Sequence, residues 1–108
     1  MKNFKYYLEM IQFKDPKESD YQNNYDIAKK LESSDIVMTT RLGDPSSTGV
    51  YRHTENGKVI NIDVRLKSGK KVNIETKNDK IIIKDGDKEY IVSSLIELNN
   101  KLNQIKYL

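Results

Sequence analysis

All three arginines, the only histidine and four lysines fall within residues 41–71: Arg41, Arg52, His53, Lys58, Arg65, Lys67, Lys70 and Lys71. Asp44, Glu55 and Asp63 stand against them, so this stretch sums to +4, whereas residues 1–40 sum to −1 and residues 72–108 to zero. Guanidinium and ammonium groups gathered on one element can follow a phosphate backbone, each neutralised phosphate releasing condensed counterions. Arginine adds bidentate reading of base edges and stacking on bases. The competing reading is a solvated strand face, with lysines there to block aggregation and Asp63 interrupting the stripe.

Other chemistries fit less well. His53 has Ser46, Ser47 and Thr48 near it in sequence, but the G-x-S-x-G elbow of a nucleophilic serine is missing. Gly43–Gly49 (GDPSSTG) has five residues between its glycines and Val50 after them, where a phosphate-binding loop has four and then Lys-Ser/Thr. Asp85-Gly86-Asp87 is turn chemistry, without the twelve-residue loop and closing Glu of an EF-hand. No pair of carboxylates stands out for acid–base work. With no cysteine, disulfides and thiolate metal sites are excluded. The expectation is therefore a protein that is not an enzyme, with no catalytic residue, no metal and no cofactor.

These groups need a scaffold. The chain has 108 residues, 36% of them hydrophobic and 32% charged, which suits one domain with a thin core. Phe4, Leu8 and Ile11 at i, i+4, i+7 predict a first short helix, with a strand as the alternative given its β-prone Tyr, Ile and Phe, ended by Lys14-Asp15-Pro16. Ser19-Asp20-Tyr21-Gln22 reads as a capping box that opens a second, with Tyr21, Tyr25, Ala28 and Leu31 on its inner face. Ile36–Leu42 is rich in β-branched residues and reads as a strand.

Asn56-Gly57 is the strongest hairpin signal, because both central residues of a type I′ turn need positive φ. It joins a strand near 49–54 to one near 58–67. In the latter Ile60, Ile62, Val64 and Leu66 alternate with Asn61, Asp63, Arg65 and Lys67, which predicts one core face and one wet face. Ser68-Gly69, Asn78-Asp79 and Asp85-Gly86 turn the chain through strands at 70–76, Lys80–Lys84 and Lys88–Val92. Three consecutive isoleucines put Ile82 on the outer face. Ser94-Leu95-Ile96-Glu97 is another capping box, and Leu95, Leu98, Leu102 and Ile105 form the stripe that would dock its helix on the sheet.

The expected fold is α+β: two short N-terminal helices in 1–33, an antiparallel meander of about five strands in 34–92, and a closing C-terminal helix in 93–108. No run reaches the length of apolar residues a membrane span needs, and MKNFKYYLEM has no signal-peptide core, so a cytoplasmic protein is expected. Tyr6, Tyr7, Tyr21 and Tyr25 suit either an aromatic partner surface or packing on the sheet, with packing favoured.

In size, composition and lack of catalytic residues, the chain resembles the small accessory and inhibitor proteins of phages and plasmids, including anti-CRISPR proteins. That resemblance implies a non-enzymatic binding protein. The basic hairpin makes nucleic acid (DNA) or a nucleoprotein the expected partner. A protein-targeting inhibitor, of anti-CRISPR or immunity type, is the first alternative, and a homodimer is compatible with either. A winged-helix DNA-binding factor is the second alternative. It would need a helix over residues 34–42, which their β-branched content opposes.

Overall fold

The computed structural model describes residues 17–39 and 48–108. Helix α1 (Glu18–Glu32) is followed by strands β1 (Val50–Glu55), β2 (Lys58–Arg65), β3 (Lys71–Lys77), β4 (Lys80–Asp85) and β5 (Lys88–Val92), and then by helix α2 (Leu95–Ile105). The strands form one antiparallel sheet in the order β1-β2-β3-β4-β5, each paired with its neighbour in sequence. The α+β class, the five-stranded meander and the C-terminal helix agree with the sequence reading. Among the described residues one helix, not two, precedes the sheet, and the helix expected at Phe4–Ile11 lies outside them. No helix among the described residues is long and apolar enough to cross a membrane.

Turn chemistry sets the register. Asn56 and Gly57 take φ of 54° and 78°, and Asn78 and Asp79 take 54° and 65°. Both turns therefore occupy the left-handed region, which glycine tolerates best and Asn and Asp next best. Of the strand expected at Ile36–Leu42, residues 36–39 carry two isolated bridges, Val37 with Leu66 and Thr39 with Thr48, and residues 40–42 lie outside the described residues. Residues 34–39 thus carry turns and bridges where a winged helix would need its third helix.

Both helices pack on one face of the sheet. Ile27, Ala28 and Leu31 of α1 and Leu98, Leu102 and Ile105 of α2 join Ile62, Val64, Val72, Ile74, Ile81 and Ile83 in a single cluster. Half of the capping box expected at α2 forms: the Ser94 hydroxyl accepts from the Glu97 N–H at 3.1 Å, while the Glu97 carboxylate accepts from that hydroxyl at 3.5 Å rather than from the Ser94 N–H. Leu95, expected in the buried stripe, is instead 39% exposed in the first turn.

Local packing departs from the expected pattern at three places. Val59, not Ile60, occupies the core position at the start of β2. The β1–β2 register jumps from His53↔Asn61 to Thr54↔Val59, and this extra residue on β2, a bulge, reverses the alternation. The inner face of α1 is also rotated: Asp20 and Asn24 are buried, Tyr21 is half-buried and Tyr25 is 41% exposed. Finally, α1 begins at Glu18 rather than after Ser19, because Asp20 sits in its first turn and accepts from the Lys17 N–H at 2.8 Å.

Both buried polar residues of α1 pair backbone groups. The Asp20 carboxylate accepts from the N–H groups of Asn78 and Asp79 at 2.8 and 2.9 Å, clasping the β3–β4 turn. One helical turn on, Asn24 donates to the Val59 carbonyl and accepts from the Thr76 N–H, both at 2.8 Å. The β2–β3 ladder runs only from Ile62↔Ile74 to Arg65↔Lys71. Beyond it the bulged half of β2 parts from β3, and the Asn24 amide fills the gap, satisfying groups that would otherwise be buried and unpaired.

Candidate functional site

Cross-strand partners share a face, so the register sorts the basic stretch into two sides. Arg52 lies opposite Ile62, on the side of the helices. There its guanidinium meets the Glu32 carboxylate at 3.0 Å and lies 5.4 Å from the centre of the Tyr25 ring. Lys58 pairs with Glu18 and sits 5.1 Å from the centre of the Tyr21 ring. The hydrogen bond to Glu18 holds the Lys58 ammonium above the usual lysine range. Lys70 donates to both Asp85 oxygens at 3.1 and 2.9 Å, and both side chains are largely shielded from water. These three cations are held by acids within the fold.

The other side of the sheet is arranged differently. One row of outward side chains runs across all five strands: Tyr51, Asp63, Asn73, Lys84 and Glu89, each opposite the next. The adjoining row places Arg65 directly opposite Lys71. Both are exposed, and neither forms an ion pair among the described residues. Lys67 is exposed just beyond β2, and Arg41 lies outside the described residues. Of the residues singled out from sequence, then, His53, Arg65 and Lys71 share the outer face, while Arg52 does not.

Asp63 is the hub of that face. One oxygen lies 2.6 Å from His53 Nε2, and the other accepts from the Asn73 amide at 2.8 Å. The same Asn73 nitrogen is 3.1 Å from the Asn61 oxygen. The Asn73 hydrogen bond, then that of His53, hold the Asp63 carboxyl below the usual carboxylate range, and the Lys71 charge adds to this. Beside it Lys84 is bound to Glu75 at 2.7 Å, and that hydrogen bond holds the ammonium above the lysine range. Tyr51 is 66% exposed, its ring centre 5.1 Å from that of His53.

Gly49 fixes the Arg65 end of the face. Its carbonyl accepts from the Arg65 N–H at 2.8 Å and its own N–H donates to the Met38 carbonyl at 2.6 Å. A Cβ at this position would stand 2.7 Å from the Arg65 carbonyl oxygen, so only glycine lets the two chains come so close. Here a depression of about 600 Å³ opens, lined by Gly49, Tyr51, Asp63, Arg65, Lys71 and Lys84 among others. The size is within the about 300–1,000 Å³ range of ligand sites.

Chemically, this face offers two facing cations, an exposed aromatic ring and a hydrogen-bonded carboxylate. Among the described residues the group hydrogen-bonded to His53 is that carboxylate, which can orient an imidazole; Ser46 and Ser47 lie outside them. Among the described residues no group of three or more His, Cys, Asp or Glu is placed to hold a metal. Tyr51, Asn61, Asn73 and Lys84 were not singled out from sequence. The alternation of each strand with the meander register would have placed Asn73 and Lys84 in the row with Asp63. Ile82 does lie on the outer face, between Glu75 and Ile91, and is only 4% exposed. Compared with known protein families, curated proteins and solved structures, the chain matches none of them.

Proposed function

We propose that this is a non-enzymatic binding protein that engages nucleic acid, alone or within a nucleoprotein, through the outer face of β1–β3. The observation that carries this reading is the Arg65–Lys71 pair. Like charges directly opposite one another in an antiparallel pair are unfavourable. A phosphate between them would replace that repulsion with charge-assisted hydrogen bonds, bidentate on the arginine side. A cytoplasmic location and a role as a phage or plasmid accessory factor belong to the same reading.

The test is a mobility shift at low salt against labelled single-stranded and duplex DNA and RNA. Binding is expected for the wild type. The double variant Arg65→Glu/Lys71→Glu should bind at least tenfold more weakly. Its salt dependence should be shallower by about 0.7–0.9 log units for each phosphate it no longer neutralises. Arg52→Glu, altered on the opposite side of the sheet, should affect folding more than binding. No shift with any nucleic acid would end this reading. The alternative, an inhibitor that binds a protein target, draws on the outer edge of β5, the last strand of the sheet, where Ile91 is 59% exposed. It predicts a stoichiometric complex that survives high salt.

A further inference from the structure

We infer that the outer-face depression takes a single strand, with a phosphate held between Arg65 and Lys71 and the adjoining base stacked on Tyr51. This rests on the nucleic-acid reading above and specifies the form of nucleic acid.

Three features point to a single strand rather than a duplex. The facing cations are strand residues on the wall of a depression, not on a protruding helix or loop. A duplex meets a protein with phosphates on a convex cylinder, and its bases are already stacked on one another. An extended single strand can lie along a sheet floor and offer its base faces, which is how aromatic residues on β-sheets hold single strands. Second, the aromatic and cationic groups are adjacent. Tyr51 lies opposite Asp63, two residues along β2 from Arg65, so ring and guanidinium belong to neighbouring rows about 6.8 Å apart along the strand. The ring is 66% exposed, and the tilted contact with His53 supports one edge of it.

Third, the acid on this floor is already engaged. Asp63 would repel a phosphate, but both its oxygens are engaged, one by Asn73 directly across from it and the other by His53 in the row on the side away from Arg65. It therefore gives the site a polarity: phosphate towards Arg65 and Lys71, base towards Tyr51 and the Asp63–Asn73–Asn61 network. The exocyclic amine of a base is the natural donor to that carboxylate.

The experiment uses the full chain and fluorescence anisotropy at low salt with four probes: a mixed-sequence single-stranded DNA, its RNA counterpart, the matched DNA duplex, and a single strand of equal length with abasic sites. The single strands are expected to bind at least tenfold more tightly than the duplex, and the abasic strand about tenfold more weakly than the intact one. Tyr51→Ala should weaken binding of the intact strand about tenfold and leave that of the abasic one unchanged, whereas Tyr51→Phe, which keeps the ring, should match the wild type. Equal or tighter duplex binding overturns the inference and leaves nucleic-acid recognition standing. So does a Tyr51→Ala variant that binds as the wild type, or a Tyr51→Phe variant as weak as Tyr51→Ala. Failure to bind any of the four probes overturns both.

Discussion

The two faces of the sheet handle charge in opposite ways. On the helix side, acids of α1 answer the basic stretch: Glu32 meets Arg52 and Glu18 meets Lys58. The Asp20 carboxylate and the Asn24 amide are taken up by backbone groups of the β2–β4 region. On the outer side Arg65 and Lys71 face each other with an acid only at the diagonal. The helix side pairs its cations and the buried Asp20 and Asn24 internally, leaving only the Thr76 hydroxyl, Arg52 Nε and the Asn78 amide nitrogen buried without a partner among the described residues. The outer side leaves a repulsive pair in place. Among the described residues the basic groups of this stretch therefore fall into two populations, one held by acids of the fold and one, Arg65 and Lys71, outside any ion pair.

The comparison breaks most readily at Asp20. Replacing it with Ala leaves three backbone N–H groups without their acceptor and should cost about 3 kcal/mol by urea titration. The same residue gives the helix side its pH dependence. Burial alone would raise the Asp20 carboxyl, but the Lys17, Asp79 and Asn78 N–H groups, with the Lys17 charge, outweigh it and hold it below the usual range. A folded-state value below the unfolded one, near about 4, means that this stabilisation is complete above the unfolded value and is lost as pH falls through the folded one. Acid titration of the wild type should show this loss, and Asp20→Asn should flatten it. A pH profile unchanged in Asp20→Asn would show that the clasp does not set the acid stability.

Asn24→Leu is next, at about 2 kcal/mol, because the Val59 carbonyl and Thr76 N–H lose their bridge. If Asn24→Leu were as stable as the wild type, water would have to reach that gap, and the helix side would not be a sealed surface.

Lys71→Glu sharpens the contrast with the smallest effect on stability. It turns the Arg65 pairing from like to opposite charge and should stabilise the fold by roughly 0.5 kcal/mol. It should also weaken nucleic-acid binding. A variant that is more stable yet binds less would mark the outer pair as kept for a partner; one that is less stable would show that the Asp63–Lys71 attraction outweighs the Arg65–Lys71 repulsion.

How far this was legible in the sequence differs between the faces too. Turn residues with a left-handed preference marked each of the four turns between strands, because they report on local backbone geometry alone. The cap of α2 was readable for the same reason. The orientation of α1 was not. Tyr21 and Tyr25 are the more apolar choice for an inner face, but the partners that draw Asp20 and Asn24 inward are backbone groups near residues 59 and 76–79, distant in sequence. The bulge at Ile60 likewise left no mark in an alternation that reads as unbroken from Ile60 to Lys67. On the outer face, the basic character of Arg65 and Lys71 was plain, and their direct opposition follows once the Ser68-Gly69 turn is placed. The inward side of Arg52 could be read only from the β1–β2 register.

The Asp20 clasp also orders events in time. Every strand pairing joins sequence neighbours across a short turn, so the meander can form with little loop closure. Docking α1 instead joins residues 58 and 59 apart in the chain. Closing such a loop costs roughly 3–4 kcal/mol of chain entropy before any hydrogen bond offsets it. The helix should therefore settle onto a sheet that already exists, and Asp20→Ala should speed unfolding while leaving the folding rate nearly unchanged. A refolding limb slowed as much as the unfolding limb is accelerated would place the clasp in the nucleus instead. In kinetic terms, Asp20 is a bolt shot last: it governs how long the folded protein lasts more than how quickly it is made.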